Sequence, residues 1–400
     1  MSDTPAPPRL AITALATVSA LGTGLEATRS ALRGRQGGLR PCTLPGMPEG
    51  IWVGAVDGVD AVALPDGLSR YDGRNNRLAE MALRSDGFEA AVAAARDRHG
   101  PARIAVVLGT STSGIAETEA AYRRRDAAGR LPAGFNYAGT HDLHSLPRYV
   151  RARLGLRGPA ISISTACTSG ARAFLEAGVL IAAGLCDAAV VGGVDTLCRM
   201  TLHGFHSLEL LSKGPSRPCA ADRDGISIGE AAGFALLERA EAAPGARLHL
   251  LGAGASSDGH HMSSPHPEGL GAVAAMQAAL DAAGLGAGEI DYVNLHGTGT
   301  KANDAMEDRA VSRLLGTGVP CSSTKGFTGH TLGASGALEA AIAAICLEEG
   351  LVPGCLGVEE ADPGFRSDIA IANRAAPLRR VLSNSFGFGG SNCALVLGRA

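Results

Sequence analysis

The chain has 400 residues, 46% hydrophobic and 19% charged, enough apolar content to bury a large core and too much for a disordered polymer. Its 36 Lys and Arg against 39 Asp and Glu leave a net charge of -3 with no long basic run, which excludes a nucleic-acid partner. With 55 glycines and only 4% aromatic residues, coiled coils and aromatic stacking platforms are excluded and many tight turns are expected.

From the N-terminus, the apolar stretch Leu10 to Leu21 follows Asp3, Arg9 and several prolines where a signal peptide would carry a basic leader, so it reads as a first strand. Further strands are expected at Ile104 to Leu108, Ala188 to Val191, Ala232 to Leu237, Leu248 to Gly252, Ile290 to Leu295 and Ala394 to Leu397. They alternate with Ala-rich helical patterns. The clearest runs from Leu270 to Ala283, with Val273, Met276, Gln277 and Leu280 at helical spacing and Gly284 as its stop. The uncharged run Val381 to Gly398 is broken by glycines and could not satisfy a bilayer as a helix. A soluble, cytoplasmic protein with no membrane partner is expected. The nine cysteines form no CxxC pair and mostly sit in apolar runs, so neither a disulfide framework nor a metal site is expected.

The second half of the chain repeats the first in order. Ile104-Ala-Val-Val-Leu-Gly-Thr-Ser-Thr recurs as Ile290-Asp-Tyr-Val-Asn-Leu-His-Gly-Thr-Gly-Thr. Ser164-Thr165 ahead of Ser-Gly-Ala and Leu-Glu-Ala recurs as Ser323-Thr324 ahead of Ser335-Gly-Ala and Leu338-Glu-Ala. Gly229 to Arg239 recurs loosely as Gly389 to Arg399. These matches predict a duplicated α/β unit, with halves 1–240 and 241–400 packed as one compact body, each covering the other's apolar face.

Chemistry concentrates at three places. Ile161-Ser-Ile-Ser-Thr-Ala-Cys167-Thr-Ser-Gly reads as a strand turning into an apolar helix, with Cys167 at the turn, where a helix start would favour its thiolate. Asn294-Leu-His296-Gly-Thr298-Gly-Thr300 places a histidine at the C-terminal end of a strand, where parallel α/β sheets bind ligands. Lys325-Gly-Phe-Thr-Gly-His330 falls, by the duplication, on the turn equivalent to that of Cys167, and a pseudo-twofold would bring the two face to face.

With Arg217-Pro-Cys-Ala-Ala-Asp-Arg-Asp-Gly225, Gly229-Glu-Ala-Ala-Gly233 and Asn384-Ser-Phe-Gly-Phe388-Gly-Gly-Ser-Asn392, these motifs resemble the elongating β-ketoacyl-acyl-carrier-protein synthases of the thiolase superfamily over nearly the whole chain. The resemblance implies a layered α-β-α-β-α fold and an acyltransferase that lengthens an acyl chain by decarboxylative Claisen condensation. Cys167 would carry the acyl group, and its backbone N–H with that of Phe388 would form an oxyanion hole. His296 and His330 would meet the enolate. Lys325, Glu339 and Glu307 would support the histidines. Thr298 and Thr300 would bind the pantetheine arm, and Thr112 with Phe388 would line the acyl pocket.

No bound cofactor is implied, the substrates arriving on the phosphopantetheine of an acyl carrier protein. Arg70, Arg74 and Arg77 are candidates for docking that carrier, with Arg123 to Arg125 as a second cluster. A homodimer, or a heterodimer with a homologous subunit, is expected. The chain departs from the family's pattern at Cys219, where an aromatic is usual, and at Gly299 and Lys301, where Ser and Pro are usual. A silent chain-length-factor-like subunit would typically have lost Cys167. A thiolase would need a second catalytic cysteine, for which Cys393 lies within a strand pattern. The polar Thr112 and the segment Tyr137 to His144 point to a partly polar primer and a specialised polyene or polyketide route as the alternative to fatty-acid elongation.

Overall fold

The computed structural model describes residues 9–399. Ten principal strands carry the architecture. They are β1 (Leu10–Ser19), β2 (Ile104–Gly109), β3 (Ala160–Ile163), β4 (Ala188–Asp195), β5 (Ala231–Arg239), β6 (Leu248–Ser257), β7 (Tyr292–Asn294), β8 (Pro320–Ser322), β9 (Arg380–Gly387) and β10 (Ser391–Arg399).

The first five run in the order β3-β2-β4-β5-β1, and the second five in the matching order β8-β7-β9-β10-β6. In the first set β2 is parallel to β3 and β4, and β5 is antiparallel to β4 and β1. In the second, β7 is parallel to β8 and β9, and β10 is antiparallel to β9 and β6. Two of the three repeats seen in the sequence therefore fall on pairs of equivalent strands, β2 on β7 and β5 on β10, and the third falls on the starts of two helices. The two sets meet where Leu10 of β1 faces Leu250 of β6 and Ala11 faces His249.

Both faces of the sheets are covered, which is why strands such as β2 read as unbroken apolar runs. Ala105 and Val107 of β2 point to the central core, Ile104, Val106 and Leu108 to an outer one shared with helices 74–83 and 88–99. Helices Leu270–Ala283 and Lys301–Leu315 cover the outer face of the second sheet through Met276, Leu280, Met306 and Val311. Between the sheets lie two helices, Ser169–Ala182 and Ser335–Glu349. The latter is buried all round from Ser335 to Leu347, the pattern of a helix with no solvent face. The result is the layered α-β-α-β-α arrangement.

The central helices cross at the repeated Ser-Gly-Ala. A Cβ on Gly170 would stand 2.7 Å from the Gly333 carbonyl oxygen and 3.0 Å from Ala337 N, and one on Gly336 would stand 2.5 Å from Ala171 N. The obstacles are backbone, so they cannot swing aside. Gly336→Val should therefore cost about 3 kcal/mol or more by overpacking. An unchanged urea midpoint for that variant would contradict this account of the crossing.

Candidate active site

The segment that carries Cys167 leaves β3 and enters helix Ser169–Ala182 through a sharp turn in which Ala166 adopts φ +53°, a conformation rare for a residue with a side chain. Ser169 Oγ accepts from Thr165 N at 2.9 Å and fixes that turn. Cys167 is exposed over only 7% of its surface, at the floor of a cavity of about 350 Å3 that also touches His296, His330, Thr298, Thr300 and Phe388.

His330 Nε2 lies 3.0 Å from Cys167 Sγ. The ring of His296 stands edge-on to that of His330, centroids 5.1 Å apart, and edge-on to Phe386 at 5.9 Å. The hydrogen-bond network assigns the tautomers. Leu332 N donates to His330 Nδ1 at 3.3 Å, and Ser335 Oγ lies 2.9 Å from the same atom. Lys325 Nζ lies 3.4 Å from His296 Nδ1 and is paired with Glu339. A ring nitrogen that accepts carries no proton, so each neutral ring holds its proton on Nε2. Burial first, and then the Lys325 charge, hold both imidazoles well below the ordinary histidine range, so both stay neutral. Two N–H donors thus converge beside one sulfur.

That tautomer also answers the metal question. Cys167, His296 and His330 bring one sulfur and two ring nitrogens within 4.8 Å of one another, a donor set that could suit a soft divalent ion. Binding would need the Nε2 lone pairs, hence protons on both Nδ1 atoms, where a backbone N–H and an ammonium already point. The surroundings do not fit a metal.

The thiol departs from expectation. Burial pushes Cys167 up to about 12, against the pull of Lys325 and of the backbone N–H groups of Phe388 and Cys167 itself, with Asp195 adding to the rise. The helix begins only at Ser169, and its start does not outweigh desolvation. The resting residue is a neutral thiol, not the thiolate read from the sequence.

Glu307 and Glu339, both buried and both pushed up to about 7 by burial, support the site differently. Glu307 accepts from His296 N at 2.8 Å and Gly297 N at 2.7 Å, so it holds the backbone under His296, not the ring. Glu339 holds Lys325. Thr298 and Thr300 line the cavity, their hydroxyls 3.0 Å apart, and Thr300 also caps helix Lys301–Leu315 by accepting from Asn303 N. Gly299 has φ +84°, and a Cβ there would stand 2.6 Å from Gly225 O, so the loop as it is built here suits glycine. Cys219 is buried, its N–H held by Asp304 at 2.9 Å, and takes no part in the cavity. Cys393 is fully buried in β10.

Two sets of expected residues lie elsewhere. Thr112 does not line the cavity: its hydroxyl is bonded to Asp195 at 2.9 Å, so it presents no free polar group to a chain. The guanidinium of Arg74 is tied to the buried carboxylate of Glu230 and to Asp60. Arg77 is paired with Asp72, and Arg70 lies exposed over the Tyr71 ring. The cation that does line the mouth is Lys301. Arg123 to Arg125 are exposed.

Sequence reasoning missed Leu332 and Ser335, which set the His330 tautomer, and Asp304, which accepts from both Cys219 N and Gly299 N. The Ser335-Gly-Ala repeat held a signal for Ser335. Leu332, at φ +54°, left none.

A strained cysteine turn facing two neutral histidines across the interface of a duplicated α/β fold defines a thiolase-like enzyme core. Residues 76–243 match the family model described as Beta-ketoacyl synthase, N-terminal domain, and residues 248–359 that described as Beta-ketoacyl synthase, C-terminal domain. The chain belongs to the β-ketoacyl synthase family. It is 39% identical over 313 residues to 3-oxoacyl-[acyl-carrier-protein] synthase 2 of Rhizobium meliloti (strain 1021), spanning 74% of this chain and 73% of that one. It is 35% identical to Nodulation protein E of Rhizobium sp. (strain N33), over 75% and 76% of the two chains. Among solved structures it is similar to a chain of the complex of the ketosynthase ApeO with its chain length factor ApeC from Xenorhabdus doucetiae, with TM-score 0.90, 40% identity and full coverage of both chains compared.

Because the sulfur is desolvated, alkylation of Cys167 by iodoacetamide should accelerate steadily from about pH 7 to about pH 9.5. Lys325→Met, which removes the charge pulling the thiol down, should slow it at every pH. A rate that is already flat below about pH 7 would show that the helix start prevails over burial.

Proposed function

We propose that the protein is a β-ketoacyl-acyl-carrier-protein synthase, an acyltransferase that condenses an acyl group on Cys167 with a malonyl thioester. The observation that carries this reading is the convergence of two neutral Nε2–H donors beside a thiol at the floor of a cavity.

In the first half-reaction Cys167 Sγ attacks the thioester carbonyl of an acyl carrier protein. The carbonyl oxygen takes the negative charge and is met by the N–H groups of Cys167 and Phe388, which act as an oxyanion hole. The bond to the carrier's sulfur breaks, and that sulfur leaves with the proton the thiol gives up. In the second, malonyl thioester loses CO2, and the electron pair becomes an enolate whose oxygen accepts from His296 and His330. The enolate carbon attacks the acyl carbonyl, the oxyanion forms again in the same hole, and its collapse expels the Cys167 sulfur, which takes up a proton from solvent. A histidine that already holds its proton on Nε2 serves as a donor here, not as the base for the thiol.

The pantetheine arm enters past Thr298 and Thr300, and the substrates need no bound cofactor. The partner is a homologous subunit. Strand β3 lies at the open edge of the first sheet and is only half-buried, with Tyr122, Tyr137, Leu143 and Met200 among the exposed apolar residues. The equivalent edge of the second sheet, β8, is covered by the short strand Asp368–Ile369. An uncovered edge of this kind calls for another chain. Nine free thiols suit a reducing compartment, which supports the cytoplasm, and no helix among the described residues is long and apolar enough to cross a membrane. The specialised route loses the support of Thr112, whose hydroxyl is occupied.

Intact-mass analysis after exposure to a panel of acyl-carrier-protein thioesters tests the reading, a mass gain lost in Cys167→Ser being expected. That substitution should lower condensation about a thousandfold or more, while malonyl decarboxylation persists. His296→Ala and His330→Ala should lose decarboxylation and keep part of the acylation. Undiminished condensation by Cys167→Ser would refute the mechanism.

A further inference from the structure

The duplication relates individual residues of the turns as well as whole strands. Counting back from Ser169-Gly-Ala and Ser335-Gly-Ala, Ala166 corresponds to Leu332 and Cys167 to Gly333. The backbone agrees: Ala166 has φ +53° and Leu332 φ +54°, so the second half carries its own copy of the cysteine turn. Sheet register supplies the facing pair. Asp195 ends β4 opposite Ala231, and Gly387 ends β9 opposite Ser391, the matching first residues of β5 and β10. Asp195 therefore corresponds to Gly387.

At the first turn, Gly387 leaves room beside the N–H of Cys167: a Cβ there would stand 3.2 Å from that nitrogen. At the second, the corresponding space is filled. Asp195 Oδ2 accepts from Gly333 N at 2.6 Å, the nitrogen equivalent to that of Cys167. Its Oδ1 accepts from Thr110 Oγ1 at 2.7 Å, Ser111 N and Thr112 N at 2.8 Å, and Thr112 Oγ1 at 2.9 Å. Thr112 Oγ1 accepts from Thr196 N, which leaves its proton for Asp195. Both carboxylate oxygens of this fully buried group meet donors alone: burial raises its pKa, and the N–H and O–H dipoles around it, with no cation in contact, pull it back toward the ionised form.

This carboxylate touches both sides of the chemistry. Ser111, bound through its N–H, donates from Oγ to Ala166 O at 3.2 Å, next to Cys167. Gly333 follows Leu332, whose N–H holds His330 Nδ1 at 3.3 Å.

We infer that Asp195 is a positioning residue for His330: it permanently fills the anion hole of a second, duplicated cysteine-type turn, and so holds Leu332–Gly333 where His330 keeps its Nε2 proton aimed at the Cys167 sulfur. The inference rests on the ketosynthase reading, since it assigns Asp195 to the half-reaction that uses His330.

Asp195→Asn tests it. The amide oxygen can serve the donors now on Oδ1, Ser111 N at 2.8 Å among them, while the NH2 faces the Gly333 N–H and breaks that bond, together with the second, longer contact of Ser111 N at 3.0 Å. Gly333→Ala breaks it from the other side, because a Cβ there would stand 2.7 Å from Asp195 Oδ2, and it also presses on Ser111 Oγ at 2.8 Å. Malonyl decarboxylation and Cys167 acylation are measured separately on each variant and on the double variant, with thermal melting as the folding control. Each single change should slow decarboxylation roughly a hundredfold, with acylation within about threefold of the parent and the double variant no slower than the slower single one. Equal losses in both half-reactions by folded variants, or losses that multiply, would overturn the assignment. If Asp195→Asn does not fold, Gly333→Ala carries the same split. Failure of the parent protein to be acylated or to decarboxylate any malonyl thioester would instead overturn the ketosynthase reading.

Discussion

Two helices that touch backbone to backbone set the spacing of the candidate site. Helices Ser169–Ala182 and Ser335–Glu349 cross at Gly170 and Gly336, where no side chain fits, and each begins at a turn that carries chemistry. Packed interiors do not yield by an ångström without cost. Hence the crossing fixes the separation between the Cys167 turn and the His330 segment, and the 3.0 Å contact between sulfur and imidazole follows from it. The two sheets flank these helices, and the outer helices cover the sheets' other faces.

Burial then decides the protonation states. A thiol, two imidazoles and two carboxylates lie close together out of water, and desolvation is the first cause of the shift in each of them. It favours the neutral form of the thiol and of both rings. Lys325, bonded to Glu339 and close to His296, adds a positive charge that keeps the rings from gaining a proton. Neutral rings with fixed tautomers are donors oriented before any charge develops, which is what stabilises an enolate most effectively in a low-dielectric site.

Much of this was legible in the chain. The repeats at Ile104 and Ile290 and at Gly229 and Gly389 mark strands that occupy equivalent places in the two halves, and the repeated Ser-Gly-Ala marks the helix crossing itself. Cys167, His296 and His330 stood out because each sits where an apolar strand ends in a Gly- or hydroxyl-rich turn. Strand limits were less legible: Ile290 to Leu295 forms a ladder only at Tyr292–Asn294, and β4 runs on through two glycines to Asp195. The Cys167 thiolate was misread because a helix start can be seen in a sequence while desolvation depends on the layers packed over it. The surroundings of Thr112 and Arg74 were illegible for a related reason. Their partners, Asp195 and Glu230, are distant in the chain, and no local pattern reports a contact across a sheet.

The claim on which the account most depends is that both histidines are neutral and carry their protons on Nε2. Nitrogen-15 chemical shifts of imidazole-labelled protein, with His296 and His330 assigned by single substitutions, measure it directly. The account predicts a neutral Nε2–H tautomer for both rings, unchanged from about pH 6 to about pH 8. An imidazolium at either position, or a proton on Nδ1 of His330, would contradict it.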